Sequence, residues 1–485
     1  MMRNWSVALA LSLGGLIGLP ASLRGEEPPL RERIAGALRR ATDGFRKEVA
    51  TEGGYLWRYT ADLSFREGER PATATMVWVQ PPGTPSVGLA YLRAFEATGD
   101  PFYRDAAREV AMALVKGQLR SGGWDYLIEF DPKLRARYAY RVDPGPGGKQ
   151  NVSTLDDNTT QEALRFLMRV DRVLEFQDQA IHEAVEYALG RLIGIQYPNG
   201  AWPQRFTDPL DPAKFPVKKA SYPDSWSRTY PGKDYKAFYT LNDNAISDTI
   251  DVLLEASRVY HDPKYEASAK KGGDFFLLAQ MPEPQPAWAQ QYDADMHPAW
   301  ARKFEPPSIT GLESQSAIRT LLEIYRETGD AKYLEPIPRA LAYLRKSRLP
   351  EGRMARFYEL KTNTPLYFTK DYQLTESDAD MPTHYGFKVG NGLDNIGKLY
   401  EQLRTRGPEK QTAEPTNSGA RSRSNKPNSE QAEAVANALD SRGLWLTEGR
   451  LKTQPPENPS RRQIDTGTFL KNVQILCRYL ESSRP

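Results

Sequence analysis

The stretch Asn199-Gly-Ala-Trp202-Pro-Gln-Arg205 is one copy of a pattern that recurs along this 485-residue chain. In each copy, a helical stretch leads to a turn containing Gly or Pro and then to a cluster of aromatic and polar residues. The other copies are Gly53-Gly-Tyr-Leu-Trp57-Arg-Tyr59, Gly122-Gly-Trp124-Asp-Tyr126, Pro286-Ala-Trp288-Ala-Gln290 and Gly352-Arg-Met-Ala-Arg356-Phe-Tyr358. The spacing of the three tryptophans leaves room for two helices and their loops in each unit.

Apolar residues between the clusters recur every three to four positions, which predicts amphipathic helices. One such face comprises Ala163, Leu164, Phe166, Leu167, Val170 and Val173. A second repeated mark lies between the two helices of a pair, at Asp100, Asp178, Asp262 and Asp330. Helix pairs that need a neighbour to bury their apolar faces form stacked or closed arrays. We therefore predict an all-α fold, an (α/α) toroid of helical hairpin repeats with irregular loops and short strands on one face, where the clusters gather.

The domain organisation follows from changes in composition. Residues 1–25 contain an apolar run that is too short to span a bilayer and is typical of a signal peptide, so we expect export to the periplasm or the medium. Residues 26–403 hold the toroid. The polar segment 404–433 predicts a disordered insertion. An amphipathic helix in 434–485 is expected to dock on the toroid beside the N-terminal helix.

The composition narrows the classes of function. A net charge of only +3 gives no polycationic signature of a nucleic-acid-binding protein. A single cysteine rules out an internal disulfide framework and a cysteine-based metal cage, and four histidines make a zinc site unexpected. A metal would be a hard ion held by oxygen. We expect a soluble monomer that does not enter a membrane.

Two helix starts carry similar polar runs, Thr154-Leu-Asp156-Asp157-Asn158 and Thr240-Leu-Asn242-Asp243-Asn244. Aspartate and asparagine commonly cap helices and favour the positive end of the helix dipole. Capping uses only one such residue, whereas each run presents three in succession. Converging oxygen ligands are what calcium requires. The runs are therefore either caps or a metal or catalytic site built on Asp156, Asp157 and Asp243.

Basic, aromatic and amide residues accompany the clusters. Arginine forks match carboxylates in two-point contacts and stack on rings, a combination suited to acidic sugars. The alternative is that the basic side chains only cover the rim and that the tryptophans plug the ends of helix pairs, the interpretation preferred for Trp124. The predicted substrate-binding residues are Trp202, Arg205, Asn242, Trp288, Gln290, Lys303, Arg356 and Tyr358.

Five motifs in order resemble the pectate lyases of polysaccharide lyase family ten. They are Asn199-Gly-Ala-Trp-Pro-Gln-Arg205, Thr240-Leu-Asn-Asp-Asn-Ala245, Gln285-Pro-Ala-Trp-Ala-Gln290, Pro298-Ala-Trp-Ala-Arg-Lys-Phe-Glu305 and Ala355-Arg-Phe-Tyr-Glu-Leu-Lys-Thr-Asn363. The resemblance implies a toroid that cleaves polygalacturonate by β-elimination with Ca²⁺, giving 4,5-unsaturated oligogalacturonides. It implies that Asp156 and Asp243 serve the calcium site and that Arg302 abstracts the C5 proton.

The chain departs from the family in two places. It has Asp156-Asp157 where the family has a single aspartate before asparagine, so either residue is the expected ligand, and its stretch 208–236 is longer than usual. Two other functions fit the residues. An inverting glycoside hydrolase would use Asp156 with Asp243 or Glu305 and no metal. A non-catalytic protein would bind pectic fragments without cleaving them.

Overall fold

The computed structural model describes residues 28–145, 147–207, 211–232, 234–408 and 429–483, and the predicted signal peptide lies outside these ranges. Helices dominate, at 46%, and the strands of the described ranges are short and form no closed sheet. The helices are α1 Leu30–Gly44, α2 Thr84–Thr98, α3 Pro101–Gly117, α4 Pro132–Arg135, α5 Thr159–Val173, α6 Gln179–Gly194, α7 Ala245–Tyr260, α8 Pro263–Ala279, α9 Glu313–Thr328, α10 Ile337–Lys346, α11 Leu393–Arg406, α12 Ser429–Asn437 and α13 Thr466–Ser482.

The helices form two rows. In the first row α13, α2, α5, α7, α9 and α11 contact one another in that order. The second row packs behind it, with α3 on α2 and α5, α6 on α5, α8 on α7 and α9, and α10 on α11. Each long pair therefore contributes one helix to each row. This alternation is that of an α/α toroid, and the predicted fold class is confirmed.

The repeated aspartates separate the two helices of each pair. The side chains of Asp100, Asp178 and Asp262 accept hydrogen bonds from the first free backbone amides of α3, α6 and α8. Asp330 does the same for the short 3₁₀ turn before α10. These caps satisfy amide groups that have no partner inside the helix. They fix where the chain turns back in every unit.

The C-terminal helix α13 docks on the start of the toroid, where it contacts α1 and α2. Its buried face includes Phe469, whose ring stacks 4.0 Å from the ring of Phe45 in the turn after α1. Arg31 of α1 donates a 2.5 Å hydrogen bond to the carbonyl of Leu480. The segment predicted as a disordered insertion begins and ends in helix, because α11 runs to Arg406 and α12 starts at Ser429. Residues 409–428 lie outside the described residues.

Short antiparallel strands connect the helix rows on one face. They are β1 Arg58–Thr60, β2 Arg66–Glu67, β3 Met76–Trp78, β4 Leu127–Glu129, β5 Ser153–Thr154, β6 Arg205–Phe206, β7 Tyr239–Thr240, β8 Gln291–Tyr292, β9 Ile309–Thr310, β10 Met354–Ala355, β11 Phe357–Tyr358, β12 Pro365–Phe368, β13 Leu374–Thr375, β14 Lys388–Val389, β15 Leu446–Glu448 and β16 Arg462–Asp465. The pairs β3–β4, β5–β6, β7–β8 and β9–β11 each join the strand before a first-row helix to the strand after the second-row helix. Two further sheets, β15-β16-β1-β2 and β10-β14, and the extension of β11 to β12 and β13 complete the strands.

The cluster tryptophans are structural. Trp124, Trp202 and Trp288 are fully buried, at 0% exposure. Each indole N–H donates to a backbone carbonyl near the end of the preceding helix, at Leu114, Leu192 and Phe276, over 2.8–2.9 Å. The prediction that Trp202 and Trp288 bind substrate is wrong, because their rings plug the ends of helix pairs as Trp124 does.

Tyr358 is likewise part of the core. It is 1% exposed, and its hydroxyl donates to the carbonyl of Ser347 over 2.6 Å while accepting from the amide of Ala355. The predicted contact between Tyr358 and substrate is therefore wrong as well. No helix in the described part of the chain is long and apolar enough to cross a membrane.

Candidate active site

The repeated strand pairs place equivalent residues on one face. The amide of Leu155 donates to the carbonyl of Gln204, and the amide of Leu241 donates to that of Gln290, both over 2.8 Å. The same bond joins Val79 to Tyr126 and Gly311 to Arg356 in the flanking units. The residues that follow Leu155 and Leu241 are the two acidic runs. The repeats thus bring both runs to the same face, where their turns contact each other.

Each run adopts an unusual backbone turn before its helix. Asp157 and Asn158 have φ of 50° and 57°, and Asp243 and Asn244 have φ of 49° and 57°. Left-handed conformations are uncommon for residues other than glycine, and two in succession occur in both copies. Neither asparagine side chain caps the helix that follows it. The runs are therefore more than helix caps, and such outliers cluster at functional sites.

Three carboxylates meet between the two turns. Asp156, Asp157 and Asp243 each offer an oxygen that lies within 4.8 Å of the other two. Burial, followed by repulsion from Asp156, raises the pKa of Asp157 to about 6. Burial, followed by repulsion from Asp156 and Asp157, raises the pKa of Asp243 to about 7. Without a cation these carboxylates repel one another.

Protein groups hold part of each carboxylate and leave part free. The Tyr126 hydroxyl donates to Oδ2 of Asp156 over 2.7 Å, and Gln80 Nε2 donates to Oδ2 of Asp157 over 2.8 Å. Oδ1 of Asp156 is buried and has no hydrogen-bond partner within the described residues. An orphan oxygen among mutually repelling carboxylates fits a divalent cation with oxygen ligands. The residues present therefore suit calcium.

Arg302 and Glu305 form a two-point ion pair beside this cluster. Glu305 is 1% exposed, and its carboxylate accepts from Nε and Nη2 of Arg302 over 2.8 and 2.5 Å. The Tyr385 hydroxyl donates to the same carboxylate over 2.7 Å. Burial raises the pKa of Glu305, but Arg302 outweighs it and holds that pKa below its ordinary value.

Arg302 nevertheless faces the acidic cluster. Its side chain is 40% exposed, and its charge lowers the pKa values of Asp157 and Asp243. Burial lowers the pKa of Arg302, whereas Glu305, followed by Tyr385 and Asp243, raises it, with a net rise above the ordinary value. The guanidinium is firmly protonated in this state.

Asn242 and Arg356 are buried supports of Asp243. Asn242 Nδ2 donates to Oδ2 of Asp243 over 2.6 Å, and Asn242 Oδ1 accepts from Nη2 of Arg356 over 3.1 Å. The same Arg356 nitrogen donates to Oε1 of Glu313 over 3.0 Å. Asn242 is 4% and Arg356 8% exposed. The prediction that these two residues bind substrate is corrected, because they position Asp243.

The other predicted substrate-binding residues lie around the cleft. Gln290 is buried beside Glu305, yet its side-chain amide makes no hydrogen bond of good geometry among the described residues. Arg205 is half-buried, with Nη2 3.4 Å from the Tyr126 hydroxyl. Lys303 is exposed, and its ammonium lies 3.5 Å from the ring centroid of Tyr372.

Three residues that hold the charged groups were not predicted from the sequence: Gln80, Tyr126 and Tyr385. Tyr126 and Gln290 both lie two positions after a cluster tryptophan, and the carbonyls of both receive the same backbone bond. Aligning the repeats would have revealed Tyr126. Tyr385 belongs to no repeated motif. Its ring centroid lies 4.5 Å from the guanidinium of Arg356 and 5.4 Å from that of Arg302, and these contacts arise only when the chain folds.

The long stretch around 211–236 forms a wall next to the Arg302 segment. Trp226 and Tyr230 lie 6.3 and 5.8 Å from the ring of Trp300. Arg228 pairs with Glu359 over 2.7 Å. These contacts attach the stretch to the small second core around Trp300.

The geometry agrees with a family match. The family model described as pectic acid lyase matches residues 118–323. This segment contains Asp156, Asp157, Asp243, Arg302 and Glu305, whereas Gln80 and Arg356 lie outside it. The predicted resemblance to pectate lyases is confirmed over these residues, and the match supports a pectate lyase enzyme.

Solved structures resemble the chain more distantly. A family 10 polysaccharide lyase from Cellvibrio cellulosa is 21% identical over 65% of this chain and 97% of its own, with a TM-score of 0.45. A mutant of that lyase, in complex with trigalacturonic acid, is 19% identical over 66% and 98%, with a TM-score of 0.45. A cellobiose 2-epimerase from Bacillus thermoamylovorans is 12% identical over 93% and 100%, with a TM-score of 0.42. No curated protein matches the chain at a significant level.

Proposed function

We propose that this protein cleaves pectate by calcium-assisted β-elimination, with Arg302 as the base. The observation that carries the proposal is a cluster of three carboxylates whose oxygens lie within 4.8 Å of one another, together with the partly open Arg302, whose charge lowers the pKa values of Asp157 and Asp243. Elimination removes the C5 proton, breaks the C4–O4 bond and forms a C4–C5 double bond. The departing oxygen takes up a proton from solvent.

Asp156, Asp157 and Asp243 would hold the calcium ion. The ion would neutralise the substrate carboxylate next to C5 and stabilise the negative charge that develops as the proton leaves. Tyr126, Gln80 and Asn242 orient the three carboxylates through the hydrogen bonds described above. Hydrogen-bonding partners of this kind orient the metal ligands and thereby tune the affinity for the metal.

The protonation of Arg302 sets the pH dependence of the proposed reaction. A base must first lose its proton, and Glu305 and Asp243 both raise the pKa of Arg302. Neutralising the charge of Asp243 with a bound cation removes one of these contributions and lowers that pKa. The proposed reaction therefore requires alkaline pH and calcium together. Glu305 keeps the guanidinium aimed at the cleft throughout.

The spacing of Asp156, Asp157 and Asp243 disfavours an inverting hydrolase that would pair Asp156 with Asp243. Inverting enzymes separate their two carboxyl groups by roughly 6.5–9.5 Å to admit a water molecule. The oxygens of Asp156, Asp157 and Asp243 lie within 4.8 Å of one another. Repelling carboxylates this close suit a shared cation better than an acid and a separate base. The family match likewise favours an enzyme over a protein that only binds pectic fragments.

We further propose that the enzyme acts outside the cytoplasm, on the basis of the apolar run within residues 1–25. Polymeric pectate is too large to enter a cell intact, so an exported lyase would meet its substrate. Expression of the full chain, followed by assay of the cell fraction and the medium, tests this part. Activity that remains entirely in the cytoplasm contradicts it.

The reaction itself is tested with polygalacturonate. Unsaturated products absorb in the ultraviolet, so absorbance is followed with calcium and with chelator for the wild-type protein, Asp243→Asn and Arg302→Ala. We expect the ultraviolet absorbance to increase only for the wild-type protein with calcium. Full activity in chelator would contradict the proposed role of calcium. Near-normal turnover of Arg302→Ala would contradict the proposal that Arg302 is the base.

A further inference from the structure

A cavity of about 720 Å³ opens beside the acidic cluster and takes no part in the reaction described above. Its volume falls within the range of about 300–1,000 Å³ typical of ligand sites. The side chains that give it its character are Arg70, Trp78, Asp125, Lys149, Arg205 and Lys236. They come from the segment between β2 and the end of β3, the loop before β4, the loop before β5, the strand β6 and the stretch around 211–236.

Two hydrogen-bonded chains connect the cavity wall to the carboxylates. The indole of Trp78 donates to Oε1 of Gln80 over 3.0 Å, and Gln80 donates to Asp157 over 2.8 Å. On the other side, Arg205 lies 3.4 Å from the Tyr126 hydroxyl, which donates to Asp156. Gln80 and Tyr126 therefore connect the residues that line the cavity to the acidic cluster.

The cavity is strongly cationic. Four basic residues line it against the single carboxylate of Asp125, whose pKa burial raises above its ordinary value. Arg70 and Lys149 are exposed, and neither forms an ion pair with a carboxylate in the described ranges. The guanidinium of Arg70 lies 5.8 Å from the ring centroid of Trp78. Exposed cations without a carboxylate partner suit a carboxylate-bearing sugar.

We propose that this cavity is an accessory subsite that binds the carboxylates of galacturonate residues beyond the point of cleavage. The proposal rests on the proposed function for the identity of the polymer. Its main determinants are Arg70 and Lys149. Lys149 lies within the segment that matches the pectic acid lyase family, whereas Arg70 and Trp78 precede that segment. The subsite makes long, unesterified chains better substrates than short ones, since a trimer engages the cluster without filling the cavity.

The test compares Arg70→Ala/Lys149→Ala with the wild-type protein. Lys398→Ala serves as the matched control, because Lys398 is an exposed lysine of α11 that does not line the cavity. Binding of trigalacturonate and octagalacturonate is measured by calorimetry in chelator, and kcat and KM for both are measured with calcium. Thermal melting confirms that each variant is folded. Methyl-esterified octagalacturonate reports binding without the carboxylates.

We expect the double variant to lose roughly tenfold or more of its affinity for octagalacturonate, the scale of lost charge-assisted hydrogen bonds. KM for the octamer rises in parallel, while kcat, trimer binding and esterified-octamer binding stay unchanged. Equal octamer affinity in the wild-type protein and the double variant overturns the subsite. Length-dependent, variant-sensitive binding without any unsaturated product leaves the subsite standing and overturns the proposed lyase reaction instead.

Discussion

Arg302 and Glu305 form a two-point contact in which Nε lies 2.8 Å from Oε2 and Nη2 lies 2.5 Å from Oε1. The carboxylate is almost completely buried and the guanidinium remains partly open to the cleft. The pair fixes the direction of Arg302 and, at the same time, raises its pKa. The contact that orients Arg302 therefore also makes Arg302, the residue proposed as the base, harder to deprotonate.

Replacement of Glu305 by glutamine tests this opposition. Glu305→Gln keeps the shape of the side chain and removes the charge that raises the pKa of Arg302. We expect the rise of activity with pH to move to lower pH, together with a lower maximal rate because the two-point contact weakens. The measurement is the pH dependence of kcat at saturating calcium. An unchanged profile would show that Glu305 does not control the protonation of the base.

Tyr126→Phe tests the support of the calcium site. This change removes the hydroxyl that donates to Asp156 over 2.7 Å and leaves the ring in place. Loss of such a support typically lowers metal affinity by about 10–100-fold. The calcium affinity of the free protein is measured by titration calorimetry, with Tyr138→Phe as a control at an aromatic residue away from the carboxylates. Equal calcium affinity in Tyr126→Phe and the wild-type protein contradicts the assigned ligand set.

Trp202→Phe separates a structural role from a binding role. The change removes an indole N–H that donates to the buried carbonyl of Leu192 over 2.8 Å, and it leaves space in a fully buried position. An unsatisfied buried acceptor and a small cavity cost about 2–4 kcal/mol of unfolding free energy. Denaturant unfolding gives this value, and KM for polygalacturonate should not change. A raised KM at unchanged stability would return Trp202 to the substrate site.

The stability of the protein should also fall as pH rises. Burial, followed by repulsion from Asp251, raises the pKa of Asp248 from 3.8 to about 7. An acid with a raised folded-state pKa favours folding while it is protonated, so its contribution is lost as pH rises through about 4 to 7. We expect Asp248→Asn to reduce the fall in melting temperature between about pH 5 and pH 8. A fall of equal size in the variant contradicts this origin.

The repeats made the fold predictable. Trp124, Trp202 and Trp288 recur with the same neighbours, and the repeated aspartates mark every turn between paired helices, so element type and order could be inferred. The role of the tryptophans could not, because an indole beside Pro and Gln suits either a sugar-binding face or a buried helix plug. Only the carbonyl of the preceding helix decides between these roles, and periodicity does not locate it.

The site was predictable where its residues lay in the repeated runs. Asp156, Asp157 and Asp243 stand in visibly matching runs, and the fold brings them together. Tyr385 and Gln80 come from distant segments, and their contacts with Glu305 and Asp157 depend on how the repeats close around the cleft. Asn242 and Arg356 were predicted to bind substrate, but both are buried and their polar atoms form hydrogen bonds within the protein.

The central claim is elimination at the C4–O4 bond, and the masses of the products of trigalacturonate test it most directly. The wild-type protein is incubated with the trimer and calcium at alkaline pH, and the products are analysed by mass spectrometry. Elimination adds no water, so the masses of the two fragments should sum to that of the trimer, with one fragment unsaturated. Fragments whose masses together exceed that of the trimer by one water would show hydrolysis and contradict the account.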